Sequence, residues 1–397
     1  MNCEWKMFSV QDLIDAQMIE EPKDGNHGNI HPKSTDYVTQ GIPFIMANDL
    51  VNGRVDYEHC AYISEKQAQK LKKGFSRPGD VLLTHKATIG RTAIVTDDYE
   101  TIILTPQVTY YRTKKGILNR YLKYYFDCAY FQNILANWAG AGSTRAYLGI
   151  TAQKKLPILL PPLETQKKIA KILSALDDKI ECNNQINKNL EEQAKGIYRK
   201  MFIENPFAEL KKGTLSDIAA ITMGQSPNGS SYNEEKLGTV FFQGRAEFGE
   251  RFPTIRLYTT EPKRMACTND ILMSVRAPVG DLNVAHEDCC IGRGLAAIHS
   301  KSKHQSFLLY TMFSLKKQID VFNGEGTVFG SINRDSLNNI SILIPSKEQI
   351  DEFESIIAPM DSLIRNNYNE SCRLQQIKDT LLPKLMSGEL DVDKIEV

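Results

Sequence analysis

The chain repeats itself once, and that repeat limits what it can fold into. The segment PILLPPLETQKKIAKILSALDDKI, from Pro157, recurs as SILIPSKEQIDEFESIIAPMDSLI, from Ser341. A constant offset of 184 pairs Pro161 with Pro345, Glu164 with Glu348, Asp177 with Asp361 and Ile180 with Ile364. The same offset pairs Gly140 and Gly142 with Gly324 and Gly326, and Ser143 with Thr327. Further upstream the halves still match while the offset drifts. GDVLLTHKATIG, from Gly79, resembles NDILMSVRAPVG, from Asn269, and GIPFIMAND, from Gly41, loosely resembles GTVFFQGRA, from Gly238. The drift means longer loops in the first half. Two long copies indicate a duplicated domain, because solenoid repeats are shorter and more numerous.

Each half has the same order. A mixed module comes first, with short β-type runs at Val81–Leu83, Thr101–Leu104, Thr239–Phe242, Ile271–Val275 and Ile340–Ile344, punctuated by Gly, Pro, Asn and Asp. A helical pattern follows, from Leu163 to about Phe202 and from Lys347 to about Met386. Acidic residues near both helix starts suit the helix dipole. Ile203–Gly213, short and marked by Pro and Gly, reads as the linker between halves.

Both helical patterns are heptads. Ile169, Leu176, Asn183, Leu190 and Ile197 fall seven apart, and Leu173, Ile180, Asn187, Ala194 and Met201 form the companion series. The second helix offers Phe353, Met360, Asn367, Leu374 and Leu381 with Ile357, Ile364, Ser371, Lys378 and Leu385. These are the core positions of a coiled coil, and about 38 residues at about 1.5 Å each make a rod of roughly 57 Å. An antiparallel pairing sets Asn183 against Ser371, Asn187 against Asn367, Ile169 against Leu385 and Leu190 against Ile364. It leaves one mismatch, Leu176 with Lys378, whose amine can snorkel to solvent. A polar layer in an apolar seam costs stability and penalises shifted registers. The expected fold is therefore α+β: two similar mixed α/β modules, a pseudo-two-fold internal repeat, and two long helices forming an antiparallel coiled coil.

Length and charge narrow the function. At 397 residues the chain calls for more than one core. No apolar run is long enough to span a membrane, and MNCEWKMFSV has no signal-peptide pattern, so a cytoplasmic location is expected. The eight scattered cysteines fit reduced thiols. The formal net charge is zero, whereas a lone non-specific nucleic-acid binder is usually basic. There is no phosphate-binding G-x-x-x-x-G-K-[ST] loop. Asn205-Pro206-Phe207 lacks the second proline of an amino-methyltransferase motif, and the E-x-K triplets at Glu4, Glu234 and Glu261 lack a suitably placed Asp. His27 and His31 have metal-like spacing but sit in a Gly/Asn/Pro loop, so they read as solvated loop histidines.

What remains suits contact with a nucleic acid. Candidate residues are Lys86, Thr88, Arg91, Gln107, Ser143 and Arg145 in the first half. In the second they are Gln225, Gln243, Arg245, Arg256, Ser274, Arg276, Arg293 and Thr327. Arg and Gln can bond base edges, while Lys, Ser and Thr suit phosphates. The small residues of Gly142–Arg145 and Gly324–Thr327 allow close approach of backbone to phosphate. Two other classes are weighed: an enzyme with a fused recognition module (a single-chain DNA methyltransferase or nuclease), and a coiled-coil scaffold that reads no DNA.

The repeat, the helix entries LPPLETQKKIAKIL and LIPSKEQIDEFESII, and the run GQSPNGSSYN…FFQGRAEFG…ILMSVRAPVGDLN…CIGRGLAAI together resemble the specificity subunit of type I restriction–modification systems. The resemblance covers essentially the whole chain. It implies target-recognition domains at 1–160 and 204–344, coiled-coil helices at 161–203 and 345–388, and a tail at 389–397. Each recognition domain would read one half of a bipartite DNA sequence, with the helices as spacer. Divergence between the modules implies an asymmetric target. The expected partners are double-stranded DNA, methyltransferase subunits (two of them) and restriction motor-nuclease subunits. No catalysis and no cofactor fall to this chain: S-adenosylmethionine would sit on the methyltransferase, ATP and Mg on the motor-nuclease.

Overall fold

The computed structural model describes residues 5–140, 146–205, 210–324 and 330–394. The chain divides into two compact units, Met1–Cys182 with Glu370–Val397, and Asn183–Asn369. Each unit holds one mixed module and part of both long helices.

The two modules share one topology. In the first, a five-stranded sheet runs Tyr37–Val38, Ala61–Ile63, Ile42–Ile45, Ile102–Leu104, Phe75–Ser76. In the second the order is Tyr232–Asn233, Leu257–Thr259, Thr239–Phe242, Cys289–Ile291, Met265–Ala266. One pair in each is parallel, Phe44 facing Ile103 and Phe241 facing Cys290. A four-stranded antiparallel sheet follows the same rule. Its order is Thr88–Ile94, Val81–Lys86, Val108–Tyr111, Lys23–Asp24 in the first module. In the second it is Leu282–Val284, Ile271–Ser274, Leu295–Ser300, Ala219–Met223.

Strand periodicity explains the layering. Val81 and Leu83 join a core with Tyr121, Phe126 and Phe131 of the module's helices, while Leu82 joins Ile45 and Leu104 of the other sheet. Ile271 and Met273 face Leu308 and Met312, while Leu272 faces Phe242 and Ile291. Alternate side chains point to opposite faces, so a strand buried on both sides reads as a continuous apolar run.

The linker differs from expectation. Leu210–Thr214 is a strand paired with Ser341–Pro345, as Lys6–Ser9 pairs with Pro157–Leu160. Its sequence, LKKGT, shows no apolar alternation; the backbone ladder holds it.

The long helices run Leu163–Tyr198 and Lys347–Ser387, the first ending in a wider π-helical turn at Arg199–Ile203. In the first unit Ile169 and Leu173 share a core with Leu382 and Leu385. In the second, Leu190 packs against the core containing Ile364, and Ala194 shares a core with Phe353 and Ile357. Rising numbers on one helix meet falling numbers on the other, so the coil is antiparallel. Phe353 is fully buried among Tyr198, Phe202, Phe307 and Tyr310.

A repeated clamp docks each module on its helix. The Tyr124 hydroxyl donates to Asp177 Oδ2 at 2.8 Å, and the Tyr310 hydroxyl donates to Asp361 Oδ1 at 3.0 Å. Cations complete both clamps: Lys378 Nζ lies 2.5 Å from Asp177 Oδ1, and Arg251 Nη2 lies 2.5 Å from Asp361 Oδ1. Arg251 also reaches Glu191 at 3.1 Å. Lys378, the one apparent mismatch in the seam, is thus turned to a carboxylate instead of to solvent. Burial pushes the Asp177 carboxyl up, but Lys123, Lys378 and Tyr124 outweigh it and hold the group below the usual range.

Candidate nucleic-acid interface

In each module the loops that leave the parallel strand pair turn the same way. Thr105 N donates to Ile45 O at 2.9 Å, and Gly292 N donates to Phe242 O at 2.8 Å. Val108 N closes the turn on Thr105 O, as Leu295 N does on Gly292 O. The neighbouring strand joins next: His85 N donates to Gln107 O, and Val275 N to Gly294 O, both at 2.9 Å. These matched bonds make residue 85 of the first module equivalent to residue 275 of the second.

Lys86 and Arg276 therefore occupy the same place. Lys86 bridges to Tyr147 and Arg276 to Ser331. Ala87 N donates to Ala146 O, and Ala277 N to Gly330 O. Both cationic side chains are exposed. Neither has an ion-pair partner among the described residues.

The remaining candidates divide into two groups. In the second unit Gln225, Gln243 and Arg293 are exposed on loops that touch one another. Gln225 N donates to Ile291 O at 3.0 Å, and Arg293 N to Ser226 Oγ at 3.3 Å. Gly292 lets these loops close, since a Cβ there would lie 2.8 Å from Gln243 O. Arg276 follows Val275, whose N–H bonds the Gly294 carbonyl beside Arg293. Of the other candidates, two are half-exposed but ion-paired and one is buried. Arg245 Nε is 2.7 Å from Asp281, and Arg256 Nη2 is 3.1 Å from the buried Glu247. Ser274 is buried, its hydroxyl donating to Pro278 O and accepting from Asp281 N. It shapes the turn and offers no surface to a ligand.

In the first unit Thr88 follows Lys86 in a tight hairpin whose middle residue, Ala87, has φ +64°. Gln107 Oε1 accepts from Ala47 N at 3.4 Å, and Arg91 Nη1 lies 3.5 Å from the Ala47, Asn48 and Leu50 carbonyls. These two brace the 47–50 loop. Ser143, Arg145 and Thr327 lie outside the described residues. In the seam Asn367 Nδ2 donates to Asn187 Oδ1 at 2.9 Å, Asn187 Nδ2 to Ile364 O at 3.3 Å, and Asn183 Nδ2 to Asn367 O at 3.4 Å. Ser371 is buried.

One polar group escaped sequence reasoning. Asp24, nearly buried, pairs with Lys73 and meets His27 Nε2 at 2.9 Å. Asn26 Oδ1 accepts from Lys72 N and Lys73 N. Behind them His85 is fully buried, Nδ1 2.7 Å from Thr109 Oγ1, and burial lowers its pKa to about 4. The His27/His31 spacing was the visible signal; Lys73, far along the chain, was not. Among the described residues no group of three or more His, Cys, Asp or Glu is placed to hold a metal ion, and no helix is long and apolar enough to cross a membrane.

Comparison with known proteins places this geometry. The family described as "Type I restriction modification DNA specificity domain" matches residues 2–192 and again 208–379. The chain belongs to this family of specificity subunits. A putative type I restriction enzyme MjaX specificity subunit from Methanocaldococcus jannaschii is 32% identical over 373 residues, covering 89% of this chain and 88% of the relative. The HindI specificity subunit of Haemophilus influenzae is 22% identical over 475 residues, covering 98% and 100%. A crystal structure of the type I restriction-modification S subunit from M. genitalium has the same fold, with a TM-score of 0.60 at 14% identity, covering 97% of this chain and 96% of that one. The duplicated sheets of this specificity subunit are its two family domains.

Proposed function

We propose that this specificity subunit reads a bipartite, asymmetric DNA sequence through its two modules, and that methyltransferase and restriction motor-nuclease subunits act where it binds. The observation that carries the reading is the equivalence of Lys86 and Arg276. Two exposed cations with no ion-pair partner among the described residues recur at one place in a duplicated fold, where each can hold a backbone phosphate. Around them the modules differ: His85 answers to Val275, and Gln107 to Gly294. A shared anchor with divergent neighbours suits two different half-sites. In the second module Gln225, Gln243 and Arg293 supply the groups that bond base edges.

Catalysis belongs to the partners on this reading. Two methyltransferase subunits supply S-adenosylmethionine chemistry and the motor-nuclease supplies ATP and Mg, all in the cytoplasm. The residues of this chain orient DNA. The test is methylation mapping in a host that expresses the chain with its partners. One motif of two unlike half-sites is expected. Lys86→Ala should weaken methylation of every site uniformly, because a phosphate contact carries no sequence information. Methylation without a bipartite motif would refute the reading.

A further inference from the structure

The first module lacks the Gln225–Arg293 surface, yet its loops end at the same edge of the sheet. Strand register shows what stands there instead. Thr109 faces Asp24 as Ala296 faces Met223, so His27 holds the place of Ser226. Gly25 N donates to Thr105 O, which sets this loop beside the turn that carries Gln107.

We propose that His27 is a base-reading residue of the first module, oriented by Asp24 to present its Nδ1 as a hydrogen-bond acceptor. The inference rests on the reading of that module as DNA-contacting. Asp24 is nearly buried and pairs with Lys73. Burial raises its pKa, but bonds from Lys73 and His27 outweigh this and keep it ionised. An ionised carboxylate only accepts, so His27 Nε2 carries the hydrogen across the 2.9 Å contact. In the neutral form of the ring the opposite nitrogen, Nδ1, then holds the lone pair. The side chain is 50% exposed, and Nδ1 has no partner among the described residues.

An outward acceptor on a stiff ring selects a donor. In the major groove the donors are exocyclic amines, adenine N6 and cytosine N4; guanine and thymine present acceptors there. Asn26, bonded to the 72–73 backbone, fixes the loop on which the ring stands. Asp24 acts through His27 and is a positioning residue.

Methylation mapping of the assembled complex tests this. With His27→Ala, one adenine or cytosine position of the first half-site should become degenerate, its discrimination falling about five- to tenfold, the low end for a base contact. The second half-site should stay intact, which reports a folded complex. Asp24→Asn should relax the same position, and His27→Gln, which keeps an acceptor, should preserve it. An unchanged motif, a uniform loss over all sequences, or a Gln variant as degenerate as the Ala variant overturns the proposal. If the unaltered complex shows no bipartite motif, the underlying reading fails; a normal motif that ignores His27 removes only the present inference.

Discussion

A histidine with no counterpart across the repeat gives the first module a pH dependence of its own. His85 is fully buried, and its pKa falls from 6.5 to about 4. Burial disfavours the charged ring, so between those values the unfolded chain takes up a proton before the folded one. Stability should fall as pH drops from about 6.5 toward about 4, by at most about 3 kcal/mol at about 1.4 kcal/mol per unit. Both tryptophans, Trp5 and Trp138, lie in the first unit, so urea titrations followed by their fluorescence report that unit. His85→Val, which installs the residue of the second module, should flatten the trend. Thr109 Oγ1 keeps its bond from Gln153 Nε2 at 3.2 Å. A second substitution tests the clamp. Arg251 is largely buried between Glu191 and Asp361. Arg251→Ala leaves Asp361 with the Tyr310 hydroxyl but no cation, while Glu191 keeps Lys195; it should cost about 3 kcal/mol, the low end for breaking a buried pair, read by calorimetry as a lowered transition.

The long helices and their polar layer were legible because both causes are local: a seven-residue period, and a constant offset between copies. The apolar runs at Val81 and Ile271 were legible as strands for the same reason. Contacts made at a distance were not. Asp177 and Asp361 keep the repeat's offset, but Tyr124 and Tyr310 come from the part where the offset drifts, so the clamp could not be read. LKKGT is a strand by virtue of its neighbour alone. Ser274 looked available because sequence does not show which way a hydroxyl turns. Distance also hid Lys73, whose partner Asp24 lies 49 positions away. Within the seam the Asn187–Asn367 bond is a pairwise term that a double-mutant cycle can isolate. Asn187→Leu alone leaves the Asn367 amide without its acceptor and should cost about 1–3 kcal/mol before the leucine's apolar gain. Asn187→Leu with Asn367→Leu should recover that cost, with a coupling of about 0.5–3 kcal/mol in denaturant titrations. Additive single and double variants would remove the bond from any account of the seam.

A DNA-recognition chain with zero net charge is a molecule that binds in company. Its 48 basic and 48 acidic residues cancel, and many cations are already paired inside the fold, as Arg112 is with Asp80 and Arg251 with Asp361. Lys86 and Arg276 are among the exposed cations that remain for phosphates on the proposed reading. Each phosphate neutralised on duplex DNA adds about 0.9 to the slope of log affinity against log salt. The isolated chain should therefore show a shallow salt dependence, and the complex with its methyltransferase partners a steeper one. Because the two anchors sit in separate modules, their effects should add. Lys86→Ala with Arg276→Ala should lower the slope of the complex by roughly 2, near twice the single-contact value, without changing the ranking of sequences. Fluorescence anisotropy on cognate and scrambled duplexes, from low to moderate salt, measures both quantities. A slope that does not move means these cations carry no phosphate, and the matched positions would then need another cause. A slope that falls together with the sequence ranking would assign them to base edges.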